Sequence, residues 1–574
     1  MTATAHQGRP SLSAFLHTLK AVNLAAMIVY LALSLISALA GSAAAVLLVP
    51  LVQPGQALVL SGRTFGVQGS IEAHAALFLA ATVAFALSRW QAARLAARLA
   101  SHYGMNLRRQ VHARLIDASL VSLANASSAE IANVLTYNVE IITQGFNALL
   151  QLLVAGMTAA ISLALAFWVS PPLALAAPLL AILALAASRI SSRAQATVSR
   201  QYVADLTRLF WHSEDFPRRL RHVRSFGRED AEKHSYGEIT ERLGHGYRHQ
   251  LDLIASGRLT LELLAAAGIA AIFMLAYHLH GVDQASLIAV CLLLGRLLPY
   301  LVSTRQGFQQ LHSAAPAFEL WQRYMKLDAA SPSTAQATSA HATSTLCIER
   351  VQLAPPQDAL DIRGLSLVPG TLTLVSGDSG IGKSSLIDVL AGMIRPLAFT
   401  ARMDDRTLDF AAYRELVRNG AYVSQSVRPW QHSVRECLLW AAPGATDDML
   451  RGALADVGLD KRLAGLRDGL DTALSSASSR LSGGELQRLL LAQVLLRQPF
   501  IALLDEATSA LDAASEMAVL SALKRRLPET ILIVVSHRSS VATMADQCLT
   551  IGNDFANSLH ANDHVQAMLS DGLG

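Results

Sequence analysis

The sequence predicts two halves of different class: a polytopic α-helical membrane domain with six transmembrane helices, then an α/β domain organised round a phosphate-binding loop. Three observations lead there. Hydrophobic residues make up 52% of the chain and charged residues 16%, with a mean hydropathy of +0.36, a balance that needs a membrane portion. The first half holds long runs without a charged side chain. The second half holds Gly377-Asp378-Ser379-Gly380-Ile381-Gly382-Lys383-Ser384 between an apolar strand and a helix. At 574 residues the chain is too long for one core. A net charge of +4 leaves no basic footprint, so no nucleic-acid partner is expected. Cys291, Cys347, Cys437 and Cys548 lie too far apart for metal-ligand spacing or a disulfide framework.

The boundaries follow composition. Residues 1–21 form a polar N-terminal segment, expected to be cytoplasmic. It runs straight into an apolar stretch too long for the core of a cleavable signal. The membrane domain covers 22–327. Val22–Val52 has no charge and is long enough to cross a bilayer. Ala73–Ser88 lies between Glu72 and Arg89, both of which can snorkel. Ile141–Ser188 lacks Asp, Glu, Lys and Arg but is too long for one span. Pro171-Pro172 inside it predicts two helices joined by a tight turn. Leu263–Val282 is a fifth span. Gln284 to about Val302 is a sixth, broken by Arg296. The stretch Gln53–Ser70 reads as a loop. Arginines crowd the connections after spans two and four (Arg89, Arg94, Arg98, Arg108, Arg109, Arg114; Arg189, Arg193, Arg200, Arg208, Arg218, Arg219) and are scarce in the other two. By the positive-inside rule both long connections are cytoplasmic. They lack turn clusters, so the helices are expected to continue far out of the membrane. Residues 328–345, rich in Ala, Ser and Thr, read as a linker. Residues 346–574 alternate short apolar strands (Leu372–Val375, Ala421–Val423, Phe500–Leu504, Ile531–Val535) with helical stretches.

The chemistry lies in the second half. Glycines of the Gly377–Ser384 loop let backbone N–H groups turn toward phosphates, with a helix dipole behind them. Lys383 supplies a compact positive charge, and the Ser384 hydroxyl can ligate Mg²⁺. Ser385 opens the following helix. Asp505 ends a buried strand, where a carboxylate is costly unless paired or metal-bound. It is the candidate to hold Mg²⁺, and Glu506 the candidate to polarise an attacking water. A lone histidine is usually structural. The distance of His537 downstream of Glu506 suits a γ-phosphate contact. Gln425 is placed to sense the metal and the water, though alone it would carry no weight. Leu481-Ser482-Gly483-Gly484-Glu485 opens a helix whose N-terminus can bind phosphate.

These segments, in this order, resemble an ABC transporter half-molecule of the exporter type over nearly the whole chain. The resemblance implies a P-loop ATPase domain with helical and antiparallel β subdomains. Walker A is then Gly377–Ser384, Walker B Phe500–Asp505, the catalytic glutamate Glu506, the D-loop Ser509-Ala510-Leu511-Asp512, the Q-loop glutamine Gln425 and the switch histidine His537. It also implies that Ser482, Gly483, Gly484 and Glu485 act on ATP held by another subunit, so a second copy of this chain or a related half-transporter is required. All the motifs are intact, which favours a homodimer with two competent sites. Coupling helices are expected near Ser119–Ser128 and Thr207–Asp215. Two stretches depart from the pattern: Val351–Pro356 has no aromatic residue to stack on adenine, and Ser475–Arg480 lacks a Gly- and Glu-containing motif.

The expected activity is ATP-driven export across a bacterial inner membrane, with the nucleotide-binding domain cytoplasmic. The compact layout and Ala-rich spans resemble exporters of small peptides, and no peptidase-like domain precedes the first span. Lipid, drug and siderophore traffic are alternatives, and a few exporter-shaped proteins import. Arg296 lies ~18 Å past Gln284 at ~1.5 Å per residue, near mid-bilayer. It is expected either to attract an acidic substrate or to pair with Glu262. Asn147 and Gln151, one helical turn apart, are candidates to line a cavity, against polar packing between helices.

Overall fold

Long uncharged helices and short buried strands partition the computed structural model as the composition demands. It describes residues 18, 23–52, 58–60, 63–65, 71–124, 126–174, 197–198, 201–213, 216–278, 284–328, 344–355, 360–404, 406–474, 481–552 and 558–561. Two compact units result: 1–118 with 124–328, and 119–123 with 329–574.

The first unit is helical. Helix α1 (Leu24–Leu47) starts where the Asn23 side chain accepts from the N–H groups of Ala25 and Ala26, and it contains no charge. Helix α2 (Ile71–Asp117) and helix α4 (Glu229–His278) are continuous over 47 and 50 residues. At ~1.5 Å per residue each is more than twice the ~30 Å hydrocarbon core, so both run on well beyond a membrane. Helix α3 (Val139–Val169) is entered through a π-helical turn, Val134–Asn138. It ends at Ser170, whose extended backbone leads into Pro171–Ala174, the break the proline pair demands. Helix α5 (Gln284–Gly295) and helix α6 (Leu297–Met325) meet at Arg296. Among the described residues five segments are long and apolar enough to cross a membrane. The expected fourth span, from the proline pair to Ser188, lies outside the described residues from 175 on. The expected loop 53–70 contains a hairpin of β1 (Leu58–Leu60) and β2 (Arg63–Phe65), a correction. Three-residue strands are too short to show an alternation in sequence.

The core of this unit is built from α1, α2, α3 and α6: Tyr30, Leu99, Leu107, Ile142, Phe146, Phe318 and Trp321 are all buried in one cluster. Leu79, Leu263 and Tyr277 point outward and stay exposed, as lipid-facing side chains do. The expected coupling segments are helical at Leu120–Leu123 and over 201–213. On the second, Trp211 is exposed, and Phe210, also exposed, lies with its ring centre 6.5 Å from that of Tyr137.

The second unit carries two sheets. β3 (Leu346–Gln352), β4 (Asp361–Leu367), β6 (Ala398–Met403) and β7 (Arg406–Leu408) form an antiparallel sheet in the order β4-β3-β6-β7. β5 (Leu372–Gly377), β8 (Ala421–Ser424), β9 (Ile501–Asp505), β10 (Ile531–Val535), β11 (Gln547–Ile551) and β12 (Ser558–Ala561) form the main sheet, in the order β12-β11-β5-β10-β9-β8. All its pairings are parallel except β11–β12. Every residue of β9 and β10 is buried, as expected of parallel strands covered on both faces. Asp546, just before β11, ties the start of β5 by accepting from the Leu372 N–H at 2.8 Å and from Lys524 Nζ at 2.7 Å. A helical layer, α8 (Val434–Ala441) and α9 (Asp447–Asp456), packs on the long helix α10 (Gly483–Arg497).

Candidate functional site

The parallel order brings the carboxyl ends of β5, β8, β9 and β10 side by side, where a doubly wound sheet binds its ligands. From β5 the chain enters Gly377–Gly382 and then helix α7 (Lys383–Leu390). Gly377, Gly380 and Gly382 have φ of 146°, 83° and 105°, and Gly382 is the left-handed residue from which α7 starts. The loop curls round its own lysine: Lys383 Nζ donates to the carbonyls of Gly377 and Asp378, both at 2.8 Å. Asp378, Ser379, Gly380 and Ser384 are exposed, and Ile381 and Ser385 are half-buried. The loop is therefore a preformed cradle open to solvent.

Asp505 closes β9, buried, opposite Val535 of β10 and Ser424 of β8. The Gln425 N–H donates to the Asp505 carbonyl at 3.0 Å, which fixes the glutamine beside the strand end. Glu506 follows with φ of 50°, a left-handed value rare for a glutamate, and its N–H donates to the Val535 carbonyl at 3.2 Å. Its Oε1 lies 3.5 Å from His537 Nε2. Gln425, Asp505, Glu506 and His537 are thus brought together. Burial, and then the charge of Asp505, push the Asp388 carboxyl on α7 up to about 6. Negative charge therefore accumulates at this strand end, and a hydroxyl, an amide and a carboxylate (Ser384, Gln425, Asp505) suit Mg²⁺, which uses few protein ligands and completes its shell with water and phosphate.

Asp388 yields a prediction of pH dependence. Its folded pKa lies above the unfolded value, so the cost of burying it is absent in acid and grows as pH rises through about 6. Asp388→Asn is expected to stabilise the nucleotide-free protein by about 1 kcal/mol at pH 8, allowing for partial exposure, and by almost nothing at pH 4. Melting curves at the two pH values test this; an equal shift at both contradicts it.

Ser482 caps α10 in a reciprocal capping box. Its hydroxyl accepts from the Glu485 N–H at 3.4 Å, and its own N–H donates to Glu485 Oε2 at 2.6 Å. Partial burial works to raise the Glu485 pKa, but these Ser482 contacts and Arg462, with Nε at 3.1 Å, hold the carboxyl below its ordinary value. Gly484 has a packing reason: a Cβ there would meet the Ala510 carbonyl at 2.9 Å. Gly483 has none within its own chain, since the space above it is open. Asp512 caps helix α11 (Ala513–Arg526) by accepting from the Ser515 N–H at 3.2 Å.

Sequence reasoning missed the groups that hold the 509–512 loop. Gln487, buried on α10, accepts from the Ala510 N–H at 2.9 Å and donates to Ser509 Oγ at 3.4 Å. Arg538, next to His537, donates to the carbonyls of Leu511 at 2.6 Å and Ser509 at 3.0 Å. The same guanidinium reaches Glu516 at 3.1 Å, a side chain only 1% exposed that also accepts from Thr508 at 2.6 Å.

In the first unit a cavity of about 700 Å³ opens between α1, α2, α3 and α6. One wall is a polar stripe on α3, with Glu140, Thr143, Gln144, Asn147, Gln151 and Thr158 at helical spacing. The opposite wall is smooth: Ala92, Ala93, Ala96, Ala97 and Ala100 of α2. Asn147 and Gln151 do line one cavity, as the turn between them requires. The pairing of Arg296 with Glu262 is overturned. Glu262 Oε1 is held by Arg258 Nε at 2.8 Å, an i,i+4 contact always within reach on one helix. Arg296 instead faces Phe85, with its guanidinium carbon 4.8 Å from the ring centre.

A helical membrane unit joined to an α/β unit with this glycine loop, the capped helix α10 and a histidine beside the Glu506 carboxylate defines a transporter polypeptide with its ATP-binding domain on the same chain. The chain belongs to the ABC transporter family: the family description "ABC transporter transmembrane region" matches residues 27–294 and "ABC transporter" matches residues 360–509. It is 27% identical over 488 residues, 82% of this chain and 80% of the relative, to an ATP-dependent lipid A-core flippase of Ralstonia nicotianae. It is 36% identical over 195 residues to the mycobactin import ATP-binding/permease protein IrtB of Mycobacterium tuberculosis, a match spanning 33% of each chain. Over only about a third of that relative's length is the likeness found. A bacterial Atm1-family ABC exporter with ATP bound shares the fold, with a TM-score of 0.75 and 20% identity over 95% of this chain and 94% of that one.

Proposed function

We propose that this polypeptide is one half of an ATP-driven dimeric translocase of the bacterial inner membrane, and that its cargo is amphipathic. One observation carries the reading of the cargo: the cavity sets an amide- and hydroxyl-bearing wall on α3 against five alanines on α2, with Arg89 at the end of that row. A molecule with one polar and one apolar side satisfies both walls, whereas a purely aliphatic compound would take the amides out of water without pairing them. Two relatives are named for lipid A-core flipping and for mycobactin import. They support a lipid- or siderophore-like cargo above a small peptide.

In this reading Gly377–Ser385 hold the phosphates of ATP, with Lys383 released from its loop carbonyls to the γ-phosphate. Ser384, Gln425 and Asp505 hold Mg²⁺, which neutralises charge on the phosphates when bound. Glu506 orients and deprotonates the attacking water, and His537 supports Glu506 and the γ-phosphate. Ser482, Gly483, Gly484 and Glu485 complete the site of a second copy, consistent with the open space over Gly483. Asp512 lies at the same junction. Clamping of two nucleotides between two copies supplies the work, and parting after hydrolysis resets it.

The test is reconstitution of the full chain in liposomes with the nucleotide domain outside, followed by ATP-dependent movement of a fluorescent phospholipid and, separately, a ferric siderophore. Movement of either, abolished by Lys383→Ala, is expected. Robust ATP hydrolysis by a strictly monomeric protein would sink the dimeric mechanism.

A further inference from the structure

Two cations stand at the far end of the cavity with no anion among the described residues to match them. Arg296 keeps helical backbone (φ −65°, ψ −23°), so its side chain shares a face with Tyr300 and Ser303, one and two turns further along α6. Both of those line the cavity. Gly41 stands one turn beyond the lining residue Ser37 on α1, and Phe85 one turn beyond Arg89 on α2. Three helices thus place Arg296, Gly41 and Phe85 about one turn, ~5 Å, past the cavity on the same side. By the orientation of the spans this is its extracytoplasmic end.

The guanidinium of Arg296 lies flat against Gly41, and any Cβ at that position would collide with Nη1, Nη2 and Cζ. It shares the Phe85 ring with a second guanidinium: Arg296 Cζ is 4.8 Å and Arg89 Cζ 5.8 Å from its centre. Arg89 also lines the cavity. Arg296 Nη2 is buried and has no hydrogen-bond partner. Among the described residues neither guanidinium has a carboxylate partner. The one acid in the cavity wall, Glu140, is engaged by Arg108 at 3.1 Å, and Glu262 by Arg258. Two cations beside one aromatic ring within a membrane-spanning bundle repel each other, and the half-buried Arg296 is costly to hold unpaired. A ring quadrupole offsets part of that cost and an anion would offset far more.

We infer that Arg296 and Arg89 form a receptor for an acidic head group, a phosphate or carboxylate, at the extracytoplasmic end of the cavity. The cargo is then an amphipathic anion, its polar body against the α3 stripe and its acid between the two guanidiniums. The inference rests on the translocase reading for its meaning, but its test does not depend on turnover.

The experiment measures equilibrium binding to the full chain in phosphatidylcholine nanodiscs. The probes are dodecyl phosphate, its neutral counterpart dodecyl maltoside, and inorganic phosphate as competitor. Wild type is expected to bind dodecyl phosphate about tenfold or more tighter than the maltoside. Arg296→Gln should bring the two within about twofold. Gly41→Val should do the same by displacing the guanidinium without removing it, and Arg296→Lys should keep part of the preference because the charge remains. Only variants with the wild-type elution and melting profile are compared; if Arg296→Gln does not fold, the other two decide. Competition by inorganic phosphate assigns the site to a free anion, and none, with dodecyl phosphate still bound, assigns it to a bilayer-borne head group. Equal binding of both probes by wild type, or a preference that survives Arg296→Gln and Gly41→Val, overturns the inference. A wild type that transports but shows no preference sinks this inference alone. One that binds the anion yet shows no Lys383-dependent hydrolysis sinks the translocase reading alone.

Discussion

Replacing Glu506 by Gln is expected to lower steady-state ATP hydrolysis by a factor of about 10²–10⁴, the range attached to a positioned general base. ATP affinity should be nearly unchanged. The amide keeps the size of the carboxyl, so the left-handed turn at φ of 50° and the N–H bond to Val535 can persist. What is lost is the proton acceptor 3.5 Å from His537 Nε2. With hydrolysis blocked and binding intact, the ATP-loaded dimer should accumulate, visible as a shift from monomeric to dimeric elution on adding ATP and Mg²⁺. His537→Ala should also slow turnover, by less, since it acts beside the carboxylate. Unchanged turnover in Glu506→Gln would remove that residue from the chemistry. The unusual backbone at Glu506 strengthens the expectation, because a strained residue at the end of a fully buried strand needs a reason to persist.

How much of this could be read from residues alone differs from element to element. Ile531–Val535 was legible to its ends, because a five-residue run so rich in β-branched side chains is too short for a helix and fits a strand buried on both faces. The phosphate loop was legible because glycine spacing, lysine and flanking elements all agree. The proline pair located the end of α3. The β1–β2 hairpin was not legible, nor was the π-turn at Val134–Asn138, which has no compositional mark. Of the two expectations for Arg296, the pairing with Glu262 is not found. Sequence shows that two opposite charges share a bundle, and the four-residue spacing of Arg258 and Glu262 on one helix already offered the nearer pairing. That Asn147 and Gln151 share a wall followed from helical spacing, whereas the alanine wall facing them depends on how α2 packs, which only coordinates give.

The buried acid Glu516 left a trace that could have been followed. It sits at helical spacing from Val519, Leu520 and Leu523, all buried on the same face of α11, so the periodicity places a carboxylate inside. A buried carboxylate needs a fixed cation, and Arg538 is that cation. The pair does more than stabilise, because the remaining donors of Arg538 hold the Ser509 and Leu511 carbonyls while the residue before it is His537. Glu516→Ala is expected to cost about 3 kcal/mol of unfolding free energy, toward the low end for a broken buried pair since Arg538 is partly exposed. Arg538→Ala should cost less, and a double-mutant cycle should return a coupling of about 1–2 kcal/mol. The more informative readout is functional. Arg538→Ala frees the loop that carries Asp512 without touching Lys383 or Gly377–Ser384. ATP binding to the single chain should therefore survive while ATP-dependent dimerisation and turnover fall together. Were Arg538→Ala to weaken nucleotide binding as strongly as dimerisation, the ion pair would be holding the whole domain together and not this loop in particular.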